Sequence, residues 1–102
     1  MFFFSFHAVP KPGSDAAKEF AGACVNCWIE FKRYGGARML AEMAIEDAGW
    51  SVTKVYRELE TGRDFYKGDE EDFQYFEEAE RDGWSFFFHR YSIDAPDKDD
   101  AK

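Results

Sequence analysis

The stretch from residue 23 to residue 32 alternates between two kinds of side chain. One set of alternate positions is apolar and comprises Ala23, Val25, Cys27, Ile29 and Phe31. The other set is more polar and comprises Cys24, Asn26, Trp28, Glu30 and Lys32. Because successive side chains of a β-strand point to opposite faces of its sheet, this period of two predicts a half-buried strand.

Further strands are predicted from residue type. Residues 2–9 are rich in Phe, and residues 50–59 and 84–92 are rich in aromatic and β-branched side chains, which favour extended backbone. A short additional strand is predicted over residues 64–66. Residues 10–22 contain Pro, Gly, Ser and Asp near their start, and this segment is predicted to be a loop.

Two helices are predicted between these strands, over residues 37–48 and 69–82, where apolar residues recur at helical spacing. Gly49 and Gly83 end the two helices, because glycine readily adopts the left-handed conformation that follows a helix. Asp69 begins the second helix, where its carboxylate can accept a hydrogen bond from a free backbone N–H.

A weak repeat supports these assignments. Residues 46–52 resemble residues 80–86, since each segment contains a helix end, a Gly, and then Trp-Ser entering a strand. We therefore expect Trp50 and Trp84 to be equivalent core anchors in two related units.

The predicted order from residue 23 is strand, helix, strand, short strand, helix, strand, which is the βαββαβ order of the ferredoxin-like sandwich. The fold class is thus α+β, with two helices on one face of a mainly antiparallel sheet. The strand over residues 2–9 is an addition to this order. We expect it to cover the free edge of the last strand, because the bare run Phe86–Phe88 would otherwise invite aggregation.

Three short segments carry a resemblance to known proteins. Residues 23–29, residues 48–50 and the stretch from Asp82 to His89 resemble those of small bacterial α+β domains of the ferredoxin-like kind. The similarity extends over most of residues 2–93. It implies a fold and no activity, since those domains have none assigned.

The size and composition suit one folded domain. The chain has 102 residues, of which 45% are hydrophobic, and that is enough for a single core. We predict one α+β domain over residues 1–94. Residues 95–102 are rich in Asp, Lys, Ala and Pro, and we predict a disordered acidic tail there.

The net charge of −8 bears on the partners. A negative field repels phosphate groups, so we expect neither nucleic acid nor an anionic membrane surface to bind. A basic protein partner is compatible with it. The first residues lack the pattern of a secretory signal peptide, and only two cysteines are present, so we predict a cytoplasmic protein.

The two cysteines are candidates for a redox or metal site. Cys24 and Cys27 are three positions apart in a predicted strand, so their side chains should point to opposite faces. That geometry disfavours a disulfide or a shared zinc ion, even with His7 and His89 as further ligands. The acidic run over residues 69–72 is typical of a solvated helix face. The sequence therefore predicts no metal and no cofactor.

The sheet face opposite the predicted helices is the candidate site. Side-chain alternation gathers aromatic and polar residues there, including Thr53 and Val55. The predicted binding residues on this face are His7, Cys24, Asn26, Trp28, Arg57, Phe87, His89 and Tyr91.

An exposed face of this composition is typical of a contact surface. The segment 10–22, a second copy of the chain, a different protein or a small ligand could cover it. We expect a non-enzymatic protein-interaction or regulatory module, for which a homodimer is one form. The alternative is a ligand-binding or catalytic domain, with His89 as acid or base, Arg57 as an anion clamp, and Cys24 or Tyr91 in support.

Overall fold

The computed structural model describes residues 1–66 and 68–93, and it confirms the α+β class. The predicted tail over residues 95–102 lies outside the described residues. In chain order the elements are β1 (Phe2–Pro10), α1 (Ala16–Glu19), β2 (Phe20–Ile29), α2 (Tyr34–Asp47), β3 (Trp50–Glu60), a 3-10 helix (Arg63–Tyr66), α3 (Glu70–Asp82) and β4 (Trp84–Ser92). The strand predicted over residues 64–66 is wrong, since these residues belong to the 3-10 helix.

The four strands form one antiparallel sheet in the order β3-β1-β2-β4. This order differs from that of the ferredoxin-like sandwich. The expectation that the first strand covers the edge of β4 is wrong, because β1 lies inside the sheet between β3 and β2. A residue-level reason is that β1 buries Phe side chains on both of its faces, since Phe3 is 8% exposed and Phe4, on the opposite face, is fully buried. Such a strand is stable where both of its faces are covered.

The two long helices lie on opposite faces of the sheet, so the prediction of two helices on one face is also wrong. On one side, which we call the α2 face, Ala37, Ala41 and Ile45 of α2 pack with apolar residues of all four strands. On the other side, the α3 face, Phe76 and Ala79 of α3 pack on a second apolar cluster. That second cluster contains Phe3, Trp28 and Tyr66, with Leu59 and Phe73 beside it.

The residues predicted to begin and end the helices have the capping interactions and backbone conformations expected of them. The Asp69 side chain accepts a hydrogen bond from the Asp72 backbone N–H at 3.2 Å. Gly49 and Gly83 adopt φ values of 94° and 99°, in the left-handed region that glycine reaches without a steric penalty. In the described part of the chain the longest helix is α2, with 14 residues, and no helix is long and apolar enough to cross a membrane.

Two β-bulges in β3 change which side chains reach each face. The pairing of β1 with β3 shifts register between Ser5 and Phe6 and again between His7 and Ala8. The extra residues in β3 are Tyr56 and Thr53, respectively. As a result Val55 pairs with Phe6 and packs on the α2 side, which corrects its predicted place on the opposite face.

The two tryptophans that follow the helices are not equivalent. Trp50 is 5% exposed, and its ring lies 6.4 Å from that of Phe20 and 5.7 Å from that of Phe88. Trp84 is 41% exposed at the start of the edge strand β4. Only Trp50 is therefore the core anchor that the repeat predicted.

We expect Trp50→Ala to lower the free energy of unfolding by about 3–5 kcal/mol, because it leaves a cavity in the core. Trp84→Ala should cost about 1 kcal/mol or less, since its side chain is largely solvated. Urea titrations of the two variants measure both values. Equal losses would contradict this distinction.

Candidate functional site

The strand register brings the eight predicted binding residues onto the α3 face. One row across the sheet runs Arg57, Ser5, Asn26, Phe87, and the next runs Lys54, His7, Cys24, His89. Tyr91 lies opposite Gly22, beyond the second row. One more row lies on the other side of the first row, and it runs Leu59, Phe3, Trp28, Ser85.

Trp28 shares this face but is not available for binding. It is fully buried, and its indole N–H donates to the Tyr66 hydroxyl at 3.0 Å. Its ring stacks on Tyr75 of α3, with the centroids 4.9 Å apart and the planes within 10°. The Ser85 hydroxyl donates to the Tyr75 carbonyl at 2.6 Å and holds this end of α3 against β4. Trp28 is thus a core residue beneath α3 and the 3-10 helix.

The part of the α3 face that α3 leaves uncovered is the candidate site, and we call it the open half. Its members are Ser5, His7, Gly22, Cys24, Asn26, Thr53, Lys54, Tyr56, Arg57, Phe87, His89 and Tyr91. Arg57, His89 and Tyr56 are exposed, whereas Ser5 in the central strand is buried. Phe87 is 36% exposed beside Tyr75.

His7 is held at both ring nitrogens. Its Nδ1 lies 2.7 Å from Thr53 Oγ1, and its Nε2 lies 2.7 Å from the Tyr91 hydroxyl. The Thr53 hydroxyl donates to the His7 backbone carbonyl at 3.2 Å, so its oxygen is left to accept from Nδ1–H. Nε2 of the neutral ring then accepts from the Tyr91 O–H. This chain of donors ties β3, β1 and β4 together on one face.

Gly22 makes room for this network. A Cβ placed on Gly22 would lie 2.8 Å from Cζ of Tyr91 and 2.9 Å from Nε2 of His7, both inside normal contact distance. The Tyr91 side chain therefore crosses directly over the β2 backbone to reach His7. Sequence reasoning missed this glycine, because only the strand pairing brings it under a residue 69 positions away (91 minus 22).

The bulges of β3 bring two residues to the open half that side-chain alternation did not assign there. Lys54 pairs with His7, and the Tyr56 ring lies edge-on to the His7 ring at 6.2 Å. Thr53, predicted on this face, does reach it through its bonds to His7. A bulge places two consecutive residues on the same side of a strand, so strict alternation cannot hold through β3.

The two cysteines face opposite sides of the sheet, as their spacing predicted. Cys27 is fully buried in the α2-side core, where burial raises the pKa of its thiol and Cys24 adds to that effect. Cys24 lies on the open half, with its Sγ 3.5 Å from Ser5 Oγ. Over residues 1–66 and 68–93, no three His, Cys, Asp or Glu side chains are grouped so that they could hold a metal ion.

The open half carries positive charge on an acidic protein. Lys54 and Arg57 are exposed, and neither forms an ion pair with a residue that the structure describes. The guanidinium of Arg57 lies 6.0 Å from the ring centroid of Phe3. This cation–π contact stabilises the guanidinium but does not neutralise its positive charge. No carboxylate occurs among the members of the open half, although the whole chain has a net charge of −8.

The side chains predicted for a catalytic site lie far apart and do not surround a common point. Arg57 belongs to β3 and His89 to β4, which are the two edges of the sheet. Three strand spacings separate them, or about 14 Å across the sheet. Tyr91 is engaged with His7. The open half is thus a broad surface. Hollows of about 330–340 Å³ lie beside the start of α3 and along α2, and one of those along α2 reaches Thr53 and Lys54 at the margin of the open half.

Comparisons of the chain with protein-family models, with curated proteins and with solved structures found no match.

We expect Gly22→Ala to displace the Tyr91 side chain and lower the free energy of unfolding by about 1–3 kcal/mol, as overpacking does. Part of the cost should disappear in a Tyr91→Ala background, because the added methyl then meets only the His7 ring. A double-mutant cycle in urea measures this coupling. Additive losses would show that the contact with Tyr91 is not what constrains Gly22.

The pKa of His7 lies below its ordinary value, first because the ring is partly buried and second because Lys54 is nearby. Below about pH 6.5 the unfolded chain takes up a proton at His7 that the folded chain resists. The free energy of unfolding should therefore fall as the pH falls from about 6.5 through the folded pKa, and His7→Gln should remove this part of the pH dependence. Urea titrations from neutral to acidic pH, with a proton NMR titration of the His7 ring, test this. A folded pKa at or above that in urea would contradict it.

Proposed function

We propose that the protein is a non-enzymatic interaction or regulatory module, and that the open half is its protein-binding surface. The observation that carries the proposal is a combination of groups on one face of the sheet. Arg57 and Lys54 are exposed there without ion pairs among the described residues, and aromatic rings are exposed beside them. Arginine and aromatic side chains are the residues most enriched in the centres of protein interfaces.

The distribution of these groups favours a macromolecular partner over a small ligand. A small molecule is usually bound in a concave pocket where several polar groups point at the same few atoms. Here the two groups offered for a catalytic alternative, Arg57 and His89, are about 14 Å apart at opposite edges of the sheet. A protein surface can span that distance, so the interaction proposal accounts for the arrangement better. It requires no cofactor.

The local charge also indicates the chemistry of the partner. The net charge of −8 by itself suggested a basic partner, but the open half presents Lys54 and Arg57 with no carboxylate among its members. We therefore propose that the contacting patch of the partner is acidic and contains an apolar residue to pack on Phe87 and Tyr56. The acidic remainder of the domain would then repel the partner elsewhere and so fix its orientation.

The test uses the double variant Arg57→Glu with Phe87→Ser. We expect each partner captured from native cells by cross-linking to the intact protein to bind this variant at least about tenfold more weakly, the loss typical of central interface residues. Affinities can be measured by titration calorimetry with the purified partner.

The matched control is Arg33→Glu with Met39→Ser, which makes the same two kinds of change at exposed positions near and on α2. It should bind as the unchanged protein does. Equal binding by the open-half variant, with its circular dichroism unchanged, would refute the proposed surface.

A further inference from the structure

The two edges of the sheet are built differently. The β3 edge contains two bulges and the charged residues Lys54, Arg57, Glu58 and Glu60. Both features are devices by which proteins prevent an edge strand from pairing with another chain. The β4 edge has nine residues, Trp84–Ser92, with no Pro, Lys, Asp or Glu among them. Only one edge is therefore protected.

The outward backbone groups of β4 can be identified from its inward ones. The Gly83 carbonyl accepts from Glu30 N–H, and the Ile93 N–H donates to the Glu19 carbonyl, so odd-numbered residues bond toward β2. By the alternation of an antiparallel ladder, even-numbered residues direct their N–H and C=O groups outward. Within residues 1–66 and 68–93, the outward backbone groups of Trp84, Phe86, Phe88 and Arg90 have no hydrogen-bond partner.

We propose that this edge pairs antiparallel with β4 of a second copy of the chain, in the register centred on Phe87. In this register Phe86 lies opposite Phe88 of the other copy, and Trp84 lies opposite Arg90. All four outward residues are then paired, with about eight new backbone hydrogen bonds. Two four-stranded sheets become one sheet of eight strands.

The side chains of β4 favour a second copy of this chain as the partner that pairs with the edge. Trp84 and Arg90 both lie on the α2 side, by the parity of Phe86 and Phe88, so the pairing sets each guanidinium against an indole ring. Trp84 is 41% exposed, and Arg90 is exposed over Phe20, so both are free to make this contact. Aromatic pairs across neighbouring strands add to the stability of a sheet.

The dimer uses the outward backbone groups of β4 and its side chains on the α2 side, whereas the proposed open-half function uses side chains on the α3 face, Phe87 among them. The dimer extends that function by joining two open halves side by side. The carboxylates of this acidic chain lie outside β4, and its net charge of −8 makes two copies repel each other. Added salt screens such repulsion. We therefore expect dimerisation to strengthen between low salt and about 0.5 M salt.

The test is sedimentation equilibrium of the intact protein over a range of concentrations. We expect a dimer, and Trp84→Lys should raise its dissociation constant about 2- to 30-fold, because each of two Lys side chains then faces Arg90. Adding Arg90→Glu to Trp84→Lys should restore much of the affinity, since opposite charges now face each other. Lys54→Glu, which alters charge at the other edge, and Met39→Lys on α2 are the controls and should leave the dimer intact.

Two outcomes would overturn the proposal. One is a protein that remains monomeric up to millimolar concentration at high salt. The other is a dimer that Lys54→Glu weakens while Trp84→Lys does not, which would locate the contact on the open half. Circular dichroism of each variant establishes that the fold is retained.

Discussion

The pairing of β1 with both β2 and β3 is the interaction on which the remaining structure depends. A central strand has no free edge, and its side chains need cover on both faces. Phe4 and Phe6 supply apolar surface on one side and Phe3 on the other, and all three are buried. The chain must then place a helix on each face. α2 covers one side, and α3 covers the end of the other side where Phe3 lies.

The open half exists because α3 covers only part of its face. A helix of 13 residues is about 20 Å long, and α3 contacts the row of Phe3 and Trp28 together with Tyr66. Beyond that row the central strand places Ser5, which is buried, and His7, which is partly exposed, so the sheet is polar there. Thr53 and Tyr91 give His7 hydrogen-bond partners from two other strands, so this polar region is ordered without a helix above it.

Two surfaces of this small domain are thus suited to contacts, for different physical reasons. The open half offers side-chain chemistry, namely cations and aromatic rings on one face of the sheet. The β4 edge offers backbone groups in a regular ladder and the side chains of Trp84 and Arg90. The β3 edge, with its bulges and charges, is not suited to strand pairing. The asymmetry of the edges would limit association to one strand per copy, which produces a closed pair and not a fibre.

The sequence by itself determined the type of each main element and the parity of most strand residues. Period-two alternation assigned Cys24 and Cys27 to opposite faces, and Asp69 and Gly83 marked the ends of α3, because side-chain alternation, capping and positive φ are local properties. Tertiary structure decided the strand order, the face that each helix covers, and the bulges that turned Val55 inward. Phe residues at both parities of β1, and Trp28 among polar residues, were signs of a second covered face. These residues did not indicate which helix covers that second face. Strand pairing and helix placement depend on contacts between residues far apart in the chain, and a short segment of sequence carries no information on the energies of those contacts.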